Sequence, residues 1–452
     1  MVKKIYSFIL ISSVLFASEN NNVSEQKLTQ SLDNYMQVLT DLNRFSGTVL
    51  VAKGDHILLN KGYGLASHEF NIANTIDTTF RICSITKMVT AATIMQLQEK
   101  GQLNVSDTLN KYIPDYPRGD EITIHQLLTH TAGLSSCNMP LEMVVMPITI
   151  DQIISFYKTM PLEFEPGTGY QYSNAGYFIL SDIIQKISGV SYEEYVTKNI
   201  LKPSNMNQSF FRDHNYAILR NCATGYCVDQ ENSLVNGHYV YENFTGSGGL
   251  FCTTQDLYQF VFALSKGLLI NEKSLNEMCT SYHPQENYGY GCEINKIQNH
   301  ACIEHGGMLS SGFKTNVSLF KDDQVYIVIL SNFFSAWVND ARNALAAIMF
   351  DEPYQLPSHI PIIIDSALYD DYVGLYDHPE YPSSYKIEKK DNKLYLPNGT
   401  ELFPVASDQW MSVEPKAKNL LYSFVRNEHN QITQLRIKGG GPYFEVRCEK
   451  LS

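Results

Sequence analysis

Ser84-Ile85-Thr86-Lys87 combines residue types and a spacing suited to nucleophilic catalysis. On a helix, an offset of three places Lys87 one turn from Ser84 on the same face, so its amine reaches the hydroxyl. A helix start adds partial positive charge and free N–H groups where an oxyanion develops. The spacing alone is weak, because it recurs at Ser24 with Lys27, Ser155 with Lys158, Ser311 with Lys314, Ser318 with Lys321, and Ser383 with Lys386. Ser84 stands apart through its place at a helix start and through two companions. In GTGYQYSNAGY, Tyr172 and Asn174 lie two apart just before a helix, offering one proton carrier and one hydrogen-bonding amide on the same side. In His305-Gly306-Gly307, entering a strand, two glycines let a substrate backbone approach the strand edge, with His305 beside it as donor or proton relay. The bland alternatives are a surface Tyr with a helix-capping Asn, and a bulge beside a surface His. Tyr241-Glu242-Asn243 and Lys438-Gly439-Gly440 are similar strings in other settings.

The elements that must hold these residues follow from hydrophobic periodicity. Phe45 to Leu65 reads as two strands joined at Lys53-Gly54-Asp55. Ser84 to about Glu99 reads as a helix, with apolar Ile85, Met88, Val89, Ala92 and Met95 and a terminating Gly101. From Leu103 to about Phe260 the pattern is mainly helical with long loops, including helices over Tyr177–Ile187 and Ser191–Leu201. Strands return at Tyr288–Cys292, Lys314–Leu319 and Gln324–Leu330, and a helix follows over Ala336–Met349. This order predicts an α/β domain whose antiparallel sheet is completed by both ends of the segment and flanked by helices, with an all-helical lobe between and the site in the cleft. Three prolines between Asp351 and Asp365 mark a linker, and the short strand-like runs beyond it predict a small all-β, barrel-like domain.

The chain has 452 residues, 44% hydrophobic and 18% charged, a balance that favours packed domains over a disordered or coiled-coil chain. Its formal charge of −13 and the lack of a basic patch exclude nucleic acid as a natural partner. Lys3 and Lys4, the apolar run Ile5–Phe16 and the small pair Ala17-Ser18 read as a secretory leader over residues 1–17. A run of this length rises only about 18 Å as a helix, short of a ~30 Å hydrocarbon core, so no stable membrane span is expected once the leader is removed. The expected parse is leader 1–17, catalytic body 18–352, linker 353–365 and β domain 366–452, with the mature protein periplasmic or secreted.

Nine cysteines are present, an odd number, so at least one stays free or pairs between molecules. Cys222 and Cys227 are close in sequence, and a hairpin return would set Cys292 opposite Cys302; buried thiols packed as small apolar groups are the equal alternative. No spacing suggests a metal site, and no cofactor is expected.

Taken together, six blocks in order resemble the serine β-lactamase and penicillin-binding-protein superfamily, in particular the group of class C β-lactamases, D-alanyl-D-alanine carboxypeptidases and related esterases and D-aminopeptidases. They are FRICSITK (80–87), LLTHTAGL (127–134), PGTGYQYSNAGY (166–177), ILKPSNMNQSFF (200–211), GSGGLFCTTQDLYQF (246–260) and EHGGMLSSGF (304–313). The resemblance implies that Ser84 forms an acyl-enzyme, that Lys87 and Tyr172 share proton transfer, and that Asn174 orients the substrate amide. His305, Gly306 and Gly307 would form the third motif, and the N–H groups of Ser84 and Met308 an oxyanion hole. For Lys87 to act as a base at neutral pH its pKa must fall by about 3 from ~10.4, roughly 4 kcal/mol of differential stabilisation. Whether Lys87 or Tyr172 is the base stays open at this level.

Two departures bear on function. Class C β-lactamases begin the third motif with Lys, which binds a substrate carboxylate, whereas His305 is largely neutral at pH 7. Cys83 occupies a position commonly Gly or Ala and is expected to be a buried apolar group. The expected function is an exported serine hydrolase acting on D-amino-acid peptides, amides or small esters. The alternatives are a class C-like β-lactamase and a catalytically weak binding protein using the same cleft. Residues 372–452 weakly resemble the lipocalin-like modules appended to some family members, with a lid or stabilising appendage favoured over a ligand pocket.

Overall fold

The computed structural model describes residues 25–136, 148–212, 219–228, 234–237, 245–283, 286–357, 368–377, 384–391, 393–397, 399–406, 408–412, 421–427, 431–438 and 445–451. The expected leader, Cys137, Tyr241-Glu242-Asn243, Gly439-Gly440 and most of the expected linker lie outside these residues. The chain divides into two compact units: residues up to Thr224 with His238–Gln355, and Gly225–Gly237 with Leu356–Ser452.

The first unit is organised by a six-stranded antiparallel sheet that joins the two ends of its sequence. Helix α1 (25–41) precedes strands β1 (Gly47–Lys53) and β2 (His56–Tyr63), which form the expected hairpin. The rest of the sheet comes from β3 (Glu293–Ile297), β4 (His300–Leu309), β5 (Phe313–Phe320) and β6 (Val325–Ser331), in the order β3-β4-β5-β6-β1-β2. β1 runs antiparallel to β6 from Gly47↔Ser331 to Lys53↔Val325. Gly47 is required there, since a Cβ would stand 2.0 Å from the Leu330 carbonyl oxygen.

β6 is buried along its whole length, the signature of a strand covered on both faces. Its alternate residues serve different cores. Ile327 and Ile329, with Val49 and Val51 of β1, pack on Leu32, Met36 and Leu39 of α1 and on Ala341 and Leu345 of the C-terminal helix Val338–Met349. Val328 and Leu330, with Leu50 and Ala52, face the helical lobe. At the lobe's centre lies α2 (Thr86–Glu99), buried continuously from Thr86 to Leu97. Two of its polar side chains bond across the lobe: Thr90 Oγ1 donates to Gly246 O at 2.6 Å and Gln96 Nε2 to Leu269 O at 2.9 Å. A helix buried all round presents no single apolar stripe, so the spacing of Met88, Ala92 and Met95 captured only part of its buried surface.

Some elements differ from the sequence expectation. Tyr288–Cys292 is not a strand; only Tyr288 bridges Glu293, and β3 starts one residue after Cys292. The reason is Gly291, which sits at φ +66 with its α-carbon face against the Lys87 carbonyl oxygen, 2.5 Å from where a Cβ would lie. The segment 103–260, expected as helices and loops, also supplies the strand Leu250–Cys252, which pairs on one side with Phe80–Arg81 just before Ser84 and on the other with the strand Phe210–Phe211. Cys302 stands opposite Asn295, not Cys292, and Cys222, Cys227, Cys292 and Cys302 are all free thiols.

Alternation along β4 separates structure from chemistry. Glu304 points away from His305 and is buried, paired with Arg342 Nη1 at 2.5 and 2.6 Å. It also accepts from Asn295 (2.8 Å), Asn316 (3.2 Å) and Ser318 (3.1 Å). Removing the cation leaves a buried carboxylate without its counter-charge. Arg342→Met is therefore expected to destabilise the protein by about 3–5 kcal/mol in urea denaturation. A loss below about 1 kcal/mol would show that the amide and hydroxyl donors suffice.

The second unit contains a short hairpin, Tyr226–Val228 with Leu234–Asn236, and a closed eight-stranded antiparallel barrel running from Gly374 to Lys450. Its first and last strands close it through Tyr376↔Lys450 and Asp377↔Glu449. Inward residues Tyr376, Ile387, Leu394, Leu402, Trp410, Phe424, Leu435, Ile437 and Cys448 form one cluster, so the barrel's interior is a packed core.

Candidate active site

From Thr78 to Leu97 every residue is buried except Ser84. The strand Phe80–Arg81 leads through Cys83, at φ +52, into a 3-10 turn over Cys83–Ile85 that runs straight into α2. The turn points Ser84 outward while Cys83 is 2% exposed with its thiol on Arg81 O, as the apolar reading of Cys83 expects.

Lys87, one turn on, has no exposed surface. Its Nζ lies 3.3 Å from Ser84 Oγ, 2.8 Å from Asn174 Oδ1 and 2.9 Å from the Ser247 carbonyl oxygen. Burial pushes its pKa down to about 7, and the neighbouring Cys83 opposes that only in part. A neutral amine has two hydrogens and one lone pair. Asn174 Oδ1 and Ser247 O can only accept, so they take the two N–H bonds and leave the lone pair facing the Ser84 hydroxyl.

Asn174 is the first residue of α3 (Asn174–Ser188), and Ser173 caps that helix by accepting from Ala175 N at 3.2 Å. Tyr172, just before the cap, turns its ring toward the amine, with Lys87 Nζ 4.8 Å from the ring centroid. Below Tyr172 lies His130, buried at φ +60, its ring centroid 4.3 Å from that of Tyr172. His130 Nδ1 accepts from Ser173 N–H at 3.2 Å, and burial together with Lys87 holds its pKa well below the ordinary value. His130 is therefore a neutral shelf for Tyr172.

The third motif lies on β4. At Gly307 a Cβ would stand 2.3 Å from Ile82 O and from Thr315 Oγ1, so only glycine lets the strand pack directly against the turn that carries Ser84. Thr315 Oγ1 secures the contact by donating to Ile82 O at 2.9 Å. Gly306 and Met308 flank Gly307 with partial exposure. His305 is 3% exposed, and both its ring nitrogens are engaged: Nδ1 with its neighbour's Gly306 O at 2.5 Å and Nε2 with Tyr288 Oη at 2.9 Å. A carbonyl only accepts, so Nδ1 carries the proton and Nε2 accepts from the tyrosine. Burial and Lys87 push the His305 pKa down to about 3. The ring is a fixed neutral group with no N–H left for a substrate, which differs from the donor or relay expected from its sequence position.

The structure thus brings together Ser84, Lys87, Tyr172 and Asn174 around one amine, with His305, Gly306, Gly307 and Met308 on the strand beside them. Residues that sequence reasoning passed over are Ser247, His130, Tyr288 and Thr315. Ser247 and His130 fall within the blocks 246–260 and 127–134, but Ser247 acts through its carbonyl and His130 through its ring face, neither of which a residue type advertises.

A buried lysine one turn from a partly exposed serine, next to a glycine-paired strand, is the arrangement expected of the serine acyltransferase class to which β-lactamases belong. The chain is a member of the Beta-lactamase family, whose profile matches residues 29–348. A penicillin-binding protein from Bacillus halodurans is 26% identical, with a TM-score of 0.61 over 70% of this chain and 98% of that one. The teichoic acid D-alanine hydrolase of Staphylococcus aureus (strain MRSA252) is 25% identical over 306 residues, 67% of this chain and 72% of that protein. The D-amino acid amidase from Ochrobactrum anthropi SV3, complexed with L-phenylalanine, shares the fold with a TM-score of 0.65 at 20% identity, over 72% and 99% of the two chains. No helix among the described residues is long and apolar enough to cross a membrane.

Proposed function

We propose that this protein is an exported serine hydrolase that acylates Ser84 and acts on D-amino-acid amides, D-aminoacyl esters or peptides, and small esters. The observation that carries the reading is the coordination of Lys87, whose two N–H bonds are claimed by Asn174 Oδ1 and Ser247 O. Ser84 Oγ–H gives its proton to the Lys87 lone pair as the oxygen attacks the substrate carbonyl. The tetrahedral oxyanion is received by the N–H groups of Ser84 and Met308. Lys87, with Tyr172, then returns the proton to the leaving group, and water repeats the sequence to release the acid. Residues 1–17 are the leader in this reading, and the mature enzyme is periplasmic or secreted. The relatives named teichoic acid D-alanine hydrolase and D-amino acid amidase support a D-aminoacyl substrate.

The neutral, fully engaged His305 favours substrates without a carboxylate at the third motif over β-lactams. A panel of nitrocefin, p-nitrophenyl esters, D-Ala-D-Ala peptides and D-amino-acid amides tests this. Esters and D-amino-acid amides are expected to turn over faster than nitrocefin, and His305→Lys should raise nitrocefin relative to ester by about tenfold or more, the worth of one charge-assisted hydrogen bond. Nitrocefin as the best substrate of the wild type would favour the β-lactamase reading. An unchanged ratio in His305→Lys would show that position 305 does not meet the carboxylate.

A further inference from the structure

We propose that Cys279 and Cys292 form a dithiol site that reacts with a low-molecular-weight disulfide and closes into an intramolecular disulfide, pinning the segment that presents Tyr288 to His305. Cys279 is the C-cap of the helix Glu272–Met278, and Cys292 directly precedes β3. Between them the backbone folds back on itself. Tyr290 N–H donates to Met278 O at 2.8 Å, and Tyr282 N–H to Tyr288 O at 3.1 Å. That pairing brings the two cysteines to one place: Cys292 Sγ lies 3.6 Å from the carbonyl oxygen of Met278, the residue bonded directly to Cys279. Gly289 makes room for the approach, since a Cβ there would stand 2.4 Å from Met278 O and 3.5 Å from Cys292 Sγ.

The two sulfurs differ in access. Cys279 is partly exposed and Cys292 is buried. The order of reaction follows: the Cys279 thiolate attacks one sulfur of the oxidant and expels the other half as a thiol. Cys292 then gives up its proton, attacks the Cys279 sulfur of the mixed disulfide and expels the second half. Two protein thiols are oxidised, one disulfide is reduced to two thiols, and the two protons leave with them. The product ties the helix end to the start of β3 across the segment holding Tyr288, whose hydroxyl donates to His305 Nε2.

The test uses the full chain, incubated with oxidised glutathione or with dithiothreitol, then alkylated and digested with trypsin. Both cysteines lie on one peptide, Ser274–Lys296, because no Lys or Arg separates them. The oxidised sample is expected to give this peptide without alkyl groups and two hydrogens lighter than its dithiol form; the reduced sample gives it doubly alkylated. Hydrogen exchange at Tyr288 and Tyr290 should slow on oxidation in the wild type and stay unchanged in Cys279→Ser. Double alkylation after oxidation, glutathione retained on Cys279, or a bond from either residue to another cysteine would overturn the site. Unchanged exchange in a protein that carries the disulfide would overturn the pinning. None of these results depends on Ser84 reactivity.

Discussion

Ser84→Ala is expected to lower turnover of any ester or amide substrate by on the order of 10⁴-fold or more, with KM little changed. The size of the effect follows from geometry. Ser84 is the only side chain left open between Thr78 and Leu97, so no neighbour stands ready to replace it. The adjacent Cys83 thiol is buried and turned back onto Arg81 O. The substrate cleft, Gly307 and the Lys87 contacts with Asn174 and Ser247 all survive the substitution, which is why binding should persist while chemistry stops. Steady-state kinetics on a p-nitrophenyl ester checks the result. Residual activity within tenfold of the wild type would move the nucleophile elsewhere.

Lys87→Met is expected to cost roughly 10²–10⁴-fold in kcat/KM, the usual worth of a positioned general base. It should also remove the acid limb of the pH profile. In the wild type kcat/KM should rise with pH through an inflection near 7, because Lys87, pushed down to about 7 by burial, can accept a proton only when neutral. His305, held at about 3, adds no limb between pH 5 and 9. The same shift has a stability consequence of opposite origin. The unfolded chain keeps Lys87 protonated up to ~10.4, so it binds more protons than the folded chain between about 7 and 10.4. The Lys87 contribution therefore opposes folding most strongly below pH 7 and is relieved as pH rises through that window. A kcat/KM profile flat from pH 5 to 8.5, or one unchanged in Lys87→Met, would remove Lys87 from the role of base.

Much of this architecture was legible because its causes are local. Lys53-Gly54-Asp55 between alternating apolar runs gave the first hairpin, and Gly101 closed α2 where the structure closes it. The packing order Ser84 to Lys87 at a helix start needed only the helical repeat. Other features have causes distant in sequence. Tyr288–Cys292 carries strand-forming residues, yet it is bent by Gly291 meeting a carbonyl more than two hundred positions earlier, at Lys87. The barrel's closure depends on Tyr376 finding Lys450, which no local pattern specifies. His305 was legible as a member of the third motif, but its tautomer comes from the Gly306 carbonyl and its neutrality from burial. The lysine itself was legible; the two acceptors that aim its lone pair were not both so, because Ser247 contributes a backbone oxygen.

The most direct measurement is to map the covalent adduct left by a fluorophosphonate. Trypsin cuts after Arg81 and after Lys87, so Ile82–Lys87 is released as one short peptide containing Ser84, Cys83 and Thr86. Fragmentation mass spectrometry should place the phosphonyl group on Ser84 in the wild type. Labelling should slow sharply in Lys87→Met and disappear in Ser84→Ala. An adduct on Cys83, on another serine, or undiminished in Ser84→Ala would contradict the assignment of Ser84 as the nucleophile.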